Sequence, residues 1–223
     1  MSHNNITELK ERAAQLRKPS GALGLTIADL MNKGNALMCT TTYDKLGVQE
    51  GDNILEIGMG NGFFVPYLMD KASNMSYTGL DYSELMVKTA TEKNMEAVNS
   101  GKVRFIHGDL EELPFQQESF DRICTSNTLY FWSNPQKAMN GLFEVLKTHG
   151  KLLIAIRPKD VMNKLPVTEF NFVRYTELEA KAMMESAGFK GITIETIDEP
   201  DRIIEGEHFR LKSSYIVGEK VNG

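Results

Sequence analysis

The sequence predicts an α/β domain built on a mostly parallel sheet with helices on both faces. Three observations carry that expectation. Five short apolar runs of strand length are separated, for the most part, by helix-length segments, the rhythm of a parallel sheet covered on both sides. The first run passes into three glycines spaced two apart, "ILEIGMGNGFF", a junction at which backbone approaches a ligand closely. After Gly188 the apolar residues change to a period near two, as strands closing a sheet do.

Taken in chain order, "LRKPSGALGLTIADLMNKGNALM" (16–38) sets Leu23, Ile27, Leu30 and Met31 at helical spacing beside Arg17, Lys18, Asn32 and Asn35. Nothing in a parallel sheet requires this segment. Residues 1–45 are expected to be a helical cap, either a lid over a bound ligand or a helix packed on the sheet edge, ahead of a domain of residues 46–223. The five runs are "DNILEIG" (52–58), "SYTGLD" (76–81), "KVRFIHG" (102–108), "FDRICTS" (120–126) and "KLLIAIRP" (151–158). Pro66 falls in the first helical turn after the glycines, where a missing N–H costs little. Asn134–Pro135 reads as the N-cap and first residue of a helix ending before Gly150. Thr176 and Glu179 form a capping box for a helix stopping at Gly188. Ile192 and Ile194, then Phe209, Leu211, Tyr215 and Val217, predict a closing hairpin. The long connection "PKDVMNKLPVTEFNFVRY" (158–175) is a candidate pocket wall.

Composition narrows the function. The 223 residues, 41% hydrophobic, suit a single domain with a continuous core. A net charge of −5 without a Lys/Arg run argues against a nucleic-acid partner. No apolar run is long enough to span a bilayer and the start lacks a signal-type apolar core, so no membrane association and a cytoplasmic location are expected. Cys39 and Cys124 lack metal or disulfide spacing, and His3, His107, His149 and His208 form no ligand pair. His107 reads as a strand-end packing residue rather than a base.

A nucleotide-like ligand follows from the glycines, but the dinucleotide fingerprint GxGxxG has Phe63 where its third glycine belongs. Asp81, ending the second strand, can accept hydrogen bonds from both ribose hydroxyls. In "HGDLEELPF" (107–115), Asp109 can accept from an adenine amino group while the Leu110 amide meets the ring. With "LEIGMGNG", "GLDYS", "FDRICTSNTLYFW" and "GKLLIAIRP", these motifs resemble the class I S-adenosylmethionine-dependent methyltransferases, of the kind typified by the quinone-biosynthesis C-methyltransferases. The likeness covers about residues 45–160 well.

That resemblance implies a Rossmann-like fold with a seven-stranded sheet whose last strand is antiparallel, S-adenosylmethionine as cofactor, and methyl transfer to a small-molecule acceptor. It further implies that Glu56 orients the glycine loop or the methionine amino group, that Gly58, Gly60 and Gly62 let the cofactor lie on the backbone, and that Asp81 binds ribose with Tyr82 flanking the adenine. Asp109 and Leu110 would hold the adenine, and Asn127 would face the methionine part. The sequence departs from the quinone enzymes at Tyr130, Phe131 and Trp132, which replace a histidine-rich stretch. Tyr130 or Trp132 beside Arg157 would suit a small, planar, anionic acceptor. No general base stands out, which fits an acidic carbon, an already ionised oxygen or a soft nucleophile as acceptor. A cofactor-binding module without turnover and a nicotinamide-dependent oxidoreductase are the alternatives.

Overall fold

The computed structural model describes residues 3–204 and 207–222. Two helices lead, α1 (His3–Arg17) and α2 (Gly21–Leu46), with an extended Ser20 between them. α2 ends at Gly47, whose φ of 65° closes the helix in the left-handed region. Then come β1 (Asn53–Ile57), α3 (Val65–Met69), β2 (Ser76–Asp81), α4 (Glu84–Lys93), α5 (Met95–Asn99), β3 (Val103–His107) and β4 (Phe120–Ser126). The chain continues through α6 (Pro135–Val145), β5 (Leu146–Ile156), α7 (Lys159–Met162), α8 (Glu177–Ala187) and β6 (Lys190–Asp198). A small ribbon of β7 (Arg202–Ile204) and β8 (Glu207–Phe209) precedes β9 (Lys212–Glu219).

The main sheet has seven strands in the order β3-β2-β1-β4-β5-β9-β6. β1 to β5 pair in parallel, while β9 runs antiparallel between β5 and β6. This is the class I methyltransferase arrangement expected from the sequence. Chain order reverses between β1 and β4, and ligands in such sheets gather at the carboxyl end of that crevice. Thr125 Oγ1 donates to the Ile57 carbonyl at 2.9 Å and ties the two strand ends together there.

The chemistry of the helix ends matches the sequence. Ser83 caps α4 by accepting from the Met86 N–H, and Asn134 caps α6 by accepting from the Lys137 N–H, with Pro135 in the first turn. Thr176 and Glu179 make a reciprocal capping box on α8, which Gly188 ends at φ 109°. Two expectations need correction. α6 stops at Val145 and runs straight into β5, because Leu146 already pairs with Phe120, so Gly150 lies inside a strand rather than past a helix end. The apolar series Phe209 to Val217 is split: Phe209 belongs to the β7–β8 ribbon, and the strand that closes the sheet begins at Lys212.

α2 has two characters. Its C-terminal half enters the core through Met38, Tyr43 and Leu46, which pack with Ile54, Tyr77 and Leu153 under the sheet. In its N-terminal half the expected apolar row is only partly covered: Ile27 is buried, but Leu23 and Leu30 are 40% and 52% exposed. Among the described residues no helix is long and apolar enough to cross a membrane.

Candidate active site

The loop leaving β1 turns at Gly58, Gly60 and Gly62, all with positive φ. They do different jobs. A Cβ on Gly62 would stand 2.8 Å from Ala90 Cβ and Asn94 Nδ2, so this glycine lets the loop close on α4, and it is not on the wall of the neighbouring cavity. A Cβ on Gly60 would meet no protein atom within 4 Å, and Gly60 does line that cavity. Of the three glycines, Gly58 and Gly60 line the cavity, while Gly62 packs on α4.

The Gly60 N–H donates to Asp81 Oδ2 at 3.0 Å and the Ser83 N–H to Oδ1 at 2.8 Å, so the carboxylate at the end of β2 is aimed across the loop. Burial pushes its pKa up to about 6 against the opposing pull of those two amides and His107. Glu56 is 4% exposed and takes both neighbouring phenols: Tyr43 from α2 at 3.0 and 2.8 Å, and Tyr77 from β2 at 2.6 Å. Burial lifts its carboxyl to about 7, the tyrosines oppose this, and the charge of Asp81 adds to it.

These groups wall a cavity of 220 Å³ at the switch point. Of the residues the sequence nominated for the cofactor, Glu56, Gly58, Gly60, Asp81, Tyr82, Asp109, Leu110 and Asn127 line it, as does Trp132, nominated for the substrate. Asp109 also caps a short 3-10 turn by accepting from the Glu111 N–H at 2.9 Å, and the Lys18 ammonium lies 4.2 Å from the Tyr82 ring centre. Trp132 Nε1 donates to Thr128 Oγ1 at 3.1 Å.

The opposite wall comes from the segment read as a candidate lid, in which Met31 and Asn35 were noted from the sequence, while the continuation of their spacing to Cys39 and Tyr43 was missed. Met31, Asn35, Cys39 and Tyr43, each four residues from the last, form one stripe of α2 along the cavity. That spacing was the available signal. Burial, with the nearby Glu56, pushes the Cys39 thiol up to about 12, which disfavours its thiolate.

A second cavity of 330 Å³ adjoins the first; Leu16, Met31, Asn35, Asn127 and Phe131 face both. The Asn127 amide donates to Asn35 Oδ1 at 3.0 Å, closing a neck between them. Walls of this chamber come from α1, α2, the 158–175 connection and the segment around β8, with Tyr130 and Arg157 at its base. The Tyr130 hydroxyl accepts the Arg157 N–H and stands 3.2 Å from Asn127 Oδ1, and burial raises its pKa. Arg157 is not an unengaged cation: its guanidinium pairs with buried Glu199 at 2.8 Å. Among the described residues no cluster of His, Cys, Asp and Glu has the makings of a metal site.

The polar groups lining the first cavity suit a nucleoside joined to a cationic amino-acid part. A nucleoside needs a carboxylate at a strand end, an open backbone position at the turn and a polar rim for the base, and Asp81, Gly60 and Asp109 with Leu110 present these on one wall. A cationic amino-acid part would meet Glu56, the buried acid at the other end.

Comparison with known proteins agrees with this geometry. Residues 55–154 match the family described as Methyltransferase domain. The uncharacterized methyltransferase YdaC of Bacillus subtilis is 28% identical over 166 residues, covering 74% of this chain and 87% of YdaC. The ubiquinone/menaquinone biosynthesis C-methyltransferase UbiE of Vibrio parahaemolyticus is 30% identical over 139 residues, 61% of this chain but only 54% of that enzyme's length. In fold, a chain from the complex between the Trm112 methyltransferase activator of Haloferax volcanii and a methyltransferase superposes with a TM-score of 0.76 at 18% identity, covering 96% of this chain and 99% of that one.

Proposed function

We propose that this chain, an enzyme of the S-adenosylmethionine-dependent methyltransferase class, binds S-adenosylmethionine in the 220 Å³ cavity and methylates a small-molecule acceptor held in the adjoining chamber. The observation that carries this reading is the shared neck: Asn35 and Asn127, hydrogen-bonded to each other, face both the first cavity and a second chamber of 330 Å³, a volume usual for small-molecule sites.

In this reading Asp81 takes the ribose hydroxyls, Asp109 and the Leu110 amide hold the adenine beside Tyr82, Gly60 leaves room along the backbone, and Gly58 lines the same wall with the Thr128 side chain packed against it. Glu56, fixed by two phenols, holds the ammonium of the methionine part. The cofactor supplies a methyl group already activated on a sulfonium. The protein's task is to align the acceptor with the carbon–sulfur bond at the neck and to exclude water. Residues 1–45 act as the cap that does the excluding, and residues 46–223 as the domain that binds the donor. The likeness to a quinone-biosynthesis C-methyltransferase supports an organic acceptor small enough for the chamber.

Calorimetry and thermal unfolding test the donor assignment. S-adenosylmethionine and S-adenosylhomocysteine at about a hundred times their dissociation constants should stabilise the fold by roughly 2.7 kcal/mol, and NAD at equal concentration should not. Stabilisation by NAD instead would overturn the reading. Methyl transfer is then followed as S-adenosylhomocysteine release across candidate acceptors.

A further inference from the structure

We infer that the acceptor is a lipophilic weak acid bound as its monoanion, with the Arg157–Glu199–Arg202 cluster as its counter-charge; the inference rests on the methyl-transfer reading and deepens it. Besides its base and neck, and Arg12, Thr168 and Arg202, the chamber is lined by apolar side chains, among them Ile27, Leu30, Met162, Leu165, Phe172 and Leu211. A body without matching apolar surface would gain little there.

The cluster supplies the charge. Arg157 Nη1 and Nη2 lie 2.8 and 3.4 Å from the two oxygens of Glu199, and Arg202 Nη2 lies 3.3 Å from Oε2. Both guanidiniums also donate to the Gly34 carbonyl, at 3.3 and 2.7 Å, and Ser213 Oγ donates to Glu199 Oε1. Two guanidiniums therefore share one carboxylate, and among the described residues the cluster carries a formal charge of +1. The Arg157 and Glu199 side chains are 8% and 1% exposed, where charge is poorly screened. Each guanidinium has five N–H donors, so Arg202 keeps donors beyond the two contacts named. Gly34 is followed directly by Asn35, so the positive charge stands beside the neck through which the methyl passes.

The chemistry of the wall agrees. Its titratable residues among those described are Arg12, Tyr130, Arg157 and Arg202; there is no Asp, Glu, His, Lys or Cys to remove a proton. Burial raises the Tyr130 pKa, and its hydroxyl is held at the Arg157 backbone. An acceptor that arrives ionised needs no base. Its lone pair forms the new bond to the methyl carbon, the carbon–sulfur bond breaks with its electron pair left on sulfur, and an anion and a sulfonium become two neutral centres with no proton transferred.

The test uses two fluorescent probes of one ring system, anionic 1-anilinonaphthalene-8-sulfonate and neutral N-phenyl-1-naphthylamine, titrated into the full chain with S-adenosylhomocysteine present. The anion should bind at least tenfold more tightly and should not be displaced by more S-adenosylhomocysteine. Arg202→Gln should cost the anion at least fivefold and leave the neutral probe unchanged, while Arg202→Lys keeps the preference. Equal affinities, or an Arg202→Gln protein with the preference intact, would overturn the inference while donor binding stands. Displacement of the anion one for one by S-adenosylhomocysteine would also overturn it, by placing the anion in the donor cavity. Failure of S-adenosylhomocysteine to bind, seen in separate calorimetry, overturns the methyl-transfer reading and this inference with it.

Discussion

Glu56→Gln isolates the cost of a buried acid at the donor site. The carboxyl goes from 4.5 to about 7 on burial, so at 1.36 kcal/mol per unit its ionisation penalises the folded state by roughly 3 kcal/mol once the pH is well above 7. The sign follows from the direction: the folded protein holds this proton better than the unfolded chain. Its contribution is complete below about pH 4.5 and is lost as the pH rises through 7. Glutamine has no such proton. Its single acceptor oxygen serves two phenols less well, which costs about 1–3 kcal/mol at every pH, so slope rather than height is the readout. With about 2.6 kcal/mol of this lying between pH 5 and 8.5, and 2–4 °C per kcal/mol for a chain of this size, the parent should lose about 5–10 °C of melting temperature relative to the variant across that range. Scanning calorimetry across that range, without cofactor, measures it. Parallel curves for the two proteins would refute the claim that Glu56 titrates in the fold.

Asp81→Ala removes a carboxylate fixed by two backbone amides; at 1.5–3 kcal/mol for a charge-assisted bond, S-adenosylhomocysteine affinity in calorimetry should fall about 10- to 100-fold, and an unchanged affinity in a folded variant would remove Asp81 from the donor site. The two glycines should separate. Gly62→Ala, with contacts at 2.8 Å and φ 67°, should cost about 1–3 kcal/mol in urea unfolding with donor affinity kept, whereas Gly60→Ala should weaken donor binding more than it weakens the fold. Tyr130→Phe leaves the buried Arg157 N–H without its acceptor, and an unfolding free energy lower by about 1–3 kcal/mol is expected.

The lining of the first cavity was legible because local chemistry writes it into short stretches. A glycine turn, a carboxylate at a strand end and an N-cap such as Thr176 each depend on residues a few positions apart, and such features survive in the sequence as motifs. The acceptor half was not, because its members meet only after folding. Glu199 and Arg202 reach Arg157 across 42 and 45 positions, and Gly34 from more than 120 away, with no pattern to link them. Arg157 itself was noticed, but its partner was invisible. Tyr43 was passed over for a different reason: the helical spacing that includes it was followed along the apolar row 23–31 and not along the polar stripe from Met31, where the period of four continues into the core. Gly62 shows the converse, a motif position whose lack of a side chain serves packing against α4 rather than a ligand.

α2 is one unbroken helix of 26 residues, about 39 Å long, pinned in the core near Tyr43 and covering the acceptor chamber with its other end. Mechanically it is a lever with its fulcrum at the donor. A swing of about 10° about Tyr43 would carry Leu23, roughly 30 Å away, by about 5 Å, yet move Asn35 at the neck by only about 2 Å. The contacts that must yield run from the approach to the helix, the Ser83 hydroxyl on the Pro19 carbonyl and Lys18 over the Tyr82 ring, to its middle, where Arg157 and Arg202 hold the Gly34 carbonyl and Asn127 holds Asn35. Displacement is thus geared: the acceptor door travels more than twice as far as the neck, while the Tyr43–Glu56 contact hardly stirs. Under the proposed methyl-transfer reading, a chain hung this way trades product for fresh acceptor at the open end while the Tyr43–Glu56 contact stays closed.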